Sequence, residues 1–133
     1  MVDHDVVNRC NRRTCSPVYR SKGPGSLKAV WGLNPTDVFA VGGAGHIVHY
    51  DGVTWIHQPS IAQHTLKGVW GSSATDVFAV GAESTVLHYD GHSWRREPLP
   101  IDSTLHGVWG SGPCDVYAVG SGGEGVVLRR SRP

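Results

Sequence analysis

An all-β fold assembled from similar four-stranded units is what this sequence predicts, and three observations predict it. The first is a repeat. Val30-Trp31-Gly32 is followed, after four residues, by Asp37-Val38-Phe39-Ala40-Val41-Gly42. The pattern returns at Val69-Trp70-Gly71 with Asp76 to Gly81, and at Val108-Trp109-Gly110 with Asp115 to Gly120. The tryptophans stand 39 residues apart both times, and a fixed period of this size marks a stacked-repeat architecture. The second observation is composition: 18 glycines and 8 prolines in 133 residues, with few helix formers in runs, argue against helices. The third is the apolar pattern inside each repeat, short runs bounded by turn residues.

Residues 1–15 are polar without a period and read as a flexible arm. Residues 16–26 hold Val18-Tyr19-Arg20 ahead of Gly23-Pro24-Gly25, a short strand and a turn. The first repeat, 27–65, opens with a strand from Leu27 to Trp31, then a turn from Gly32 to Thr36 in which Pro35 fixes φ. Val38 to Val41 is apolar at every position, so this strand should be covered on both faces. Gly42 to Gly45 makes a second turn and His46 to Tyr50 a third strand. Asp51-Gly52 reads as a type I′ hairpin, leading into a fourth strand from Val53 to His57. The second repeat, 66–104, keeps Leu66, Trp70, Asp76, His88, Asp90-Gly91 and Trp94 at matching offsets. The third, 105–133, keeps the signature through Gly120, lengthens the turn after Ser121 and places a third strand at Val126 to Arg129. It is expected to lack its fourth strand. Four short strands per 39-residue unit describe one blade of a β-propeller, a sheet apolar on both faces that must stack on neighbours.

The combination Leu-x-x-Val-Trp-Gly, Asp-Val-Phe/Tyr-Ala-Val-Gly and His-Tyr-Asp-Gly-x-x-Trp resembles propeller repeats of secreted bacterial proteins, over residues 27–128. The resemblance implies a fold and a binding scaffold, and no reaction. Asp51 to Trp55 and Asp90 to Trp94 are similar to the Asp-box turn of sialidase-type propellers but lack the residue between Asp and Gly, so sialidase chemistry does not carry over. Three blades do not close a ring, since propellers have four to eight. Small fucose-binding lectins build one propeller from several short chains, and this chain is similar to them in plan. The expectation is therefore a head-to-tail homodimer of six blades. Ser16 lies eleven residues ahead of Leu27, as Trp55 does ahead of Leu66 and Trp94 ahead of Leu105. Ser16 to Ser21 is thus expected to act as a fourth strand completing a third blade, its own or a neighbour's.

A formal net charge of +1 gives no global steering toward nucleic acid. Between Leu27 and Leu128 nine acidic residues outweigh four basic ones, while the ends carry eight basic against two acidic. Dimerisation that joins the ends is therefore expected to be salt-sensitive. Cys10, Cys15 and Cys114 make an odd count, not a disulfide framework. Cys10 and Cys15 could bridge locally in an oxidising compartment, and Cys114 reads as a small, at least half-buried residue. No run approaches the 18 apolar residues of a membrane helix. The first 25 residues lack the apolar run of a signal peptide, so the chain as written is expected in the cytoplasm, or outside the cell if cut from a longer precursor.

Trp31, Trp70 and Trp109 read as packing between blades, in register with Gly32, Gly71 and Gly110, or as a ring of sugar platforms. Asp37, Asp76 and Asp115 each precede a strand and read as ties for the preceding turn. His46 and His49 lie three apart on a strand, on opposite faces, so they cannot chelate together; no metal or cofactor is expected. No Gly-x-Ser-x-Gly elbow is present. Trp55, Trp94, Arg95 and Glu97 suit sugar recognition by stacking and charged hydrogen bonds. The functional expectation is a non-catalytic module that binds carbohydrate or protein. The alternatives are a hydrolase or lyase using the central channel, and a structural repeat without a ligand.

Overall fold

The computed structural model describes residues 6–20, 26–59, 61–98 and 102–121, and the backbone of 126–130. Apart from one turn of 3-10 helix at Gly43–Gly45 the regular elements are strands. Blade 1 is the meander β3 (Leu27–Asn34), β4 (Asp37–Gly42), β5 (Ile47–Tyr50) and β6 (Trp55–Gln58). Blade 2 repeats it as β7 (Leu66–Ser73), β8 (Asp76–Gly81), β9 (Thr85–Tyr89) and β10 (Trp94–Arg96). Blade 3 has three strands, β11 (Thr104–Gly112), β12 (Asp115–Ser121) and β13 (Val126–Arg130). A separate hairpin precedes them, β1 (Val6–Cys10) with β2 (Cys15–Arg20). The sheets are antiparallel throughout, and no helix of the described residues is long and apolar enough to cross a membrane.

Local chemistry sets the turns, with two corrections to the sequence reading. The turn expected over Gly32 to Thr36 shrinks, because Gly32 still pairs with Val38 and Asn34 with Asp37. The Asn34 carboxamide oxygen accepts from the Thr36 amide and hydroxyl at 2.9 and 2.8 Å, which closes the turn around Pro35. The Asp-Gly hairpins sit one residue later than expected. Asp51 N–H donates to the Thr54 carbonyl, so the two central residues are Gly52 and Val53. Gly52 has φ of +99° while Val53 is not left-handed, so the two left-handed residues that a type I′ turn requires are not both present. The Asp51 carboxylate accepts from the Val53 and Thr54 amides, and Asp90 accepts from His92 and Ser93 in the same way.

The first twenty residues are corrected too. Val6–Cys10 is a strand, not a flexible arm, and Cys15–Arg20 pairs with it rather than with the third blade of its own chain. This hairpin is the outer half of a blade. Asn11 N–H donates to the Thr14 carbonyl, and the Asn11 side-chain oxygen accepts from the Arg13 and Thr14 amides, as Asp51 and Asp90 do in their turns. Val7 pairs with Tyr19 as Ile47 pairs with Gln58. A bulge after Val7 absorbs the one residue by which the spacing exceeds the repeat. Where the other hairpins hold Tyr50 against Trp55 and Tyr89 against Trp94, both at 5.2 Å between rings, this one has the Cys10–Cys15 disulfide. Cys114 is exposed rather than buried.

The main core lies between blades 1 and 2, where Phe39, Val41 and Ile47 meet Leu66, Val69, Val77, Leu87, Tyr89 and Trp94. A smaller cluster of Val80, Leu105 and Ala118 joins blades 2 and 3. Each junction also seats a tryptophan against bare backbone. A Cβ placed on Gly71 would stand 2.8 Å from Cη2 of Trp31, and one on Gly110 2.5 Å from Cη2 of Trp70. Replacing Gly71 by Ala is therefore expected to destabilise by about 1–3 kcal/mol through overpacking. Gly32 has no such ring over it within the single chain, so at concentrations where the chain is monomeric its Ala variant is expected to stay within about 0.5 kcal/mol of the unmodified chain. Urea unfolding midpoints of the two variants check this.

Candidate functional site

The repeated Asp and His residues form one polar chain across the first junction. The Asp37 carboxylate lies 2.5 Å from Nε2 of His49, and Nδ1 of His49 lies 3.4 Å from the Gln58 amide nitrogen. Trp94 of blade 2 donates its indole N–H to the Gln58 oxygen at 2.9 Å. Blade 2 repeats the start, with Asp76 at 2.7 Å from His88 and also accepting from Ser72, and with Glu97 in the place of Gln58, 3.9 Å from His88. In blade 3 Arg129 stands opposite Tyr117 where histidine stands opposite Phe39 and Phe78. The reading of Asp37 and Asp76 as ties for the preceding turn is corrected to this extent: each reaches a histidine on the third strand. Asp115 opens β12 opposite Gly112. Periodicity carried this signal, since His49 and His88 share an offset from Asp37 and Asp76.

The tryptophans separate into three environments. Trp31 and Trp70 are half-buried in the junctions, whereas Trp109 is 63% exposed. Trp94 is buried and meets the Phe39 ring edge-on at 5.8 Å, so it presents no face to a sugar, and its reading as a ligand platform is corrected. Trp55 packs against Tyr50 at 5.2 Å and Tyr19 at 5.3 Å between ring centroids. Arg95 is exposed, 3.8 Å from Asp90, and Glu97 is exposed nearby on the edge of blade 2. The four residues expected at one sugar site are therefore not brought together around one opening. Among the described residues no group of three or more His, Cys, Asp or Glu side chains could hold a metal ion.

The open site is elsewhere, between the hairpin and blade 1. A pocket of about 410 Å³ is lined by Val7, Val18, Val30, Val38, Tyr50 and Trp55 among others. Its position follows from the repeat. Val30, Val38, Tyr50 and Trp55 are the blade 1 counterparts of Val69, Val77, Tyr89 and Trp94. On blade 2 that face is filled by blade 1, with Phe39 lying 5.4 Å from Tyr89 and 5.8 Å from Trp94. On blade 1, among the described residues, only the half-blade covers it, and Tyr19, which stands at the repeat position of Gln58, touches Trp55 as Gln58 touches Trp94. A second recess of about 220 Å³, lined by Val6, Val7, Leu27, Ala29 and Ala40, marks the place of the inner strands of that half-blade. Sequence reasoning named Trp55 but missed Val30, Val38 and Tyr50, which a sequence presents only as strand residues.

These sheets, stacked face to face through a repeated junction, define an array of β-propeller blades. A solved structure described as YCF48 bound to D1 peptide is similar to it, with a TM-score of 0.65 at 19% sequence identity. The match covers 81% of this chain and 38% of that one, so the chain spans well under half of its length. No family model and no curated protein matches the sequence.

Among the titrating groups, His46 and two aspartates couple the fold to pH. Burial, and secondly the ring of His57 at 4.6 Å, hold His46 below its ordinary value of 6.5, and its buried Nε2 has no hydrogen-bond partner. The unfolded chain then binds the proton more readily, so this contribution is complete above 6.5 and is lost as pH falls through the folded value. Backbone N–H groups of Thr54 and Val53 lower the Asp51 carboxyl, and those of Ser93 and His92 lower Asp90, below the ordinary 3.8. Their contribution is present above 3.8 and lost below it. Both effects have one sign. The urea midpoint is expected to fall between about pH 7.5 and about pH 5.5 as His46 takes up its proton, and His57→Gln is expected to shrink that difference.

Proposed function

We propose that this chain is a non-catalytic binding module that takes a protein ligand on the open face of blade 1. One observation carries the reading: the face that blade 2 fills with Phe39 is, on blade 1, an apolar pocket of about 410 Å³. Its lining repeats, position by position, the face of blade 2 that receives the Phe39 ring from a strand of blade 1. Apolar clefts with few polar groups are the usual form of binding sites, and strand addition beside an open sheet face is a recurring mode of peptide recognition. The peptide named in the description of the similar propeller structure agrees in ligand class. Carbohydrate binding through Trp55, Trp94, Arg95 and Glu97 draws less support, since Trp94 is buried and Tyr50 and Tyr19 both pack against Trp55. A channel hydrolase or lyase draws less still, because the Asp–His pairs recur with the repeat and the first is tied through Gln58 into the junction.

The test is an array of short synthetic peptides, each with one Phe, Tyr or Trp among small residues, run beside a glycan array. Binding to a subset of the peptides is expected, weakened at least about tenfold by Val38→Arg and unchanged by Arg95→Ala. Glycan binding lost with Arg95→Ala, or peptide binding indifferent to Val38→Arg, would overturn it.

A further inference from the structure

The two open ends of the blade array carry the two halves of a junction that the chain makes twice within itself. The donating half is the face with Trp31, Phe39 and Val41 on blade 1, and Trp70, Phe78 and Val80 on blade 2. On blade 3 the same positions are Trp109, Tyr117 and Val119. Val41 and Val80 are buried to within 1%, whereas Val119 is 47% exposed and Trp109 is 63% exposed. The receiving half is the face with Val69, Val77 and Gly71 on blade 2. Its copy on blade 1 is Val30, Val38 and Gly32. Val69 is 7% exposed and Val30 is 59% exposed. The backbone of Gly71 lies under Trp31, while a Cβ on Gly32 would meet only atoms of its own blade.

We propose that the partner of the blade 1 face is a second copy of this chain, whose blade 3 docks there head to tail, with Trp109 over Gly32 and Tyr117 in the apolar pocket. The proposal rests on the reading above that this face is the binding surface, and it names the occupant. The argument is continuity: the contact extends by one further step the interface already made at the two junctions, with the same residue types on both sides. A face of this kind and its complement sit on opposite ends of one chain, so the contact is heterologous and closes only if the rotation per blade allows a ring. Two chains of three blades supply six, within the range of closed propellers.

The half-blade fits this assembly. β1 and β2 hold the outer places of the blade that precedes blade 1, and β11 and β12 of the second copy supply the inner two strands it lacks. Within one chain the outer edge of β12 is paired with β13. The incoming β13 and the resident hairpin therefore claim one place. The disulfide holds β1 to β2 and Tyr19 holds the hairpin against Trp55, so in the assembly β13 yields its place and β1 pairs with β12.

Sedimentation of the full chain tests the proposal, with Trp109→Ala to remove the donor and Val30→Glu to block the receiver. Both positions are more than half exposed in the single chain, so circular dichroism is expected to show each variant folded. Val119→Lys replaces Trp109→Ala should that variant not fold. The unmodified chain is expected to sediment as a dimer and each variant alone as a monomer, with association weakened at least about thirtyfold. An equal mixture of the two variants retains one intact contact and is expected to form a one-to-one complex. A monomeric unmodified chain, variants that dimerise like it, or a mixture that stays monomeric would each overturn the proposal. If a monomeric chain still binds the aromatic peptides through Val38, self-docking alone fails; if those peptides do not bind either, the reading beneath it fails as well.

Discussion

A tryptophan ring packed against a backbone without side chains is the contact on which the rest of the structure depends. Trp31 reaches Gly71 and Trp70 reaches Gly110, and each contact sets the distance at which two blades stack. That distance lets Phe39 and Val41 reach the face of the next sheet and pack with Val77, Tyr89 and Trp94. A side chain at the glycine would lift the tryptophan and open the cavity that core packing does not tolerate. The same spacing brings Gln58 within hydrogen-bond distance of Trp94, so the polar chain from Asp37 through His49 crosses the junction only because the apolar contact has placed its ends.

The frame was legible in the sequence because it repeats. Trp31, Trp70 and Trp109 fixed the period, and strands assigned from it match the sheets over blades 1 and 2. What the period could not tell was which side of a strand faces a neighbour. Trp55 and Trp94 look alike in sequence, yet one lines an open pocket and the other is enclosed by Phe39 from the preceding blade. The difference belongs to their neighbours, not to themselves. The half-blade was illegible for another reason. Asn11 replaces the Asp-Gly turn, a disulfide replaces the Tyr–Trp pair and one bulged residue breaks the 39-residue spacing. Each change keeps the geometry while erasing the residue that advertises it.

Those three replacements have a common physical cause. A two-stranded hairpin is marginal in water, because it orders many backbone dihedrals for few buried contacts. Blades 1 and 2 anchor their outer hairpins on two inner strands; β1 and β2 lack these among the described residues. The covalent bond between Cys10 and Cys15 limits the unfolded chain instead, and Asn11 supplies the turn hydrogen bonds that the aspartates supply elsewhere. Tyr19 then ties the outer end to blade 1 by stacking near Trp55. The hairpin is thus held at its turn and at its outer strand, and among the described residues no strand pairs with the inner edge of β1.

An edge strand with unpaired amides invites pairing, and proteins blunt such edges or use them. Here the edge of β1 adjoins two recesses lined by Val6, Val7, Leu27 and Val30, so backbone donors and an apolar floor lie side by side. A loop or a helix would satisfy the floor and leave the edge unpaired. A strand bearing apolar residues on alternate positions satisfies both, and β12, with Tyr117 and Val119 two apart on one face, is a strand of that kind.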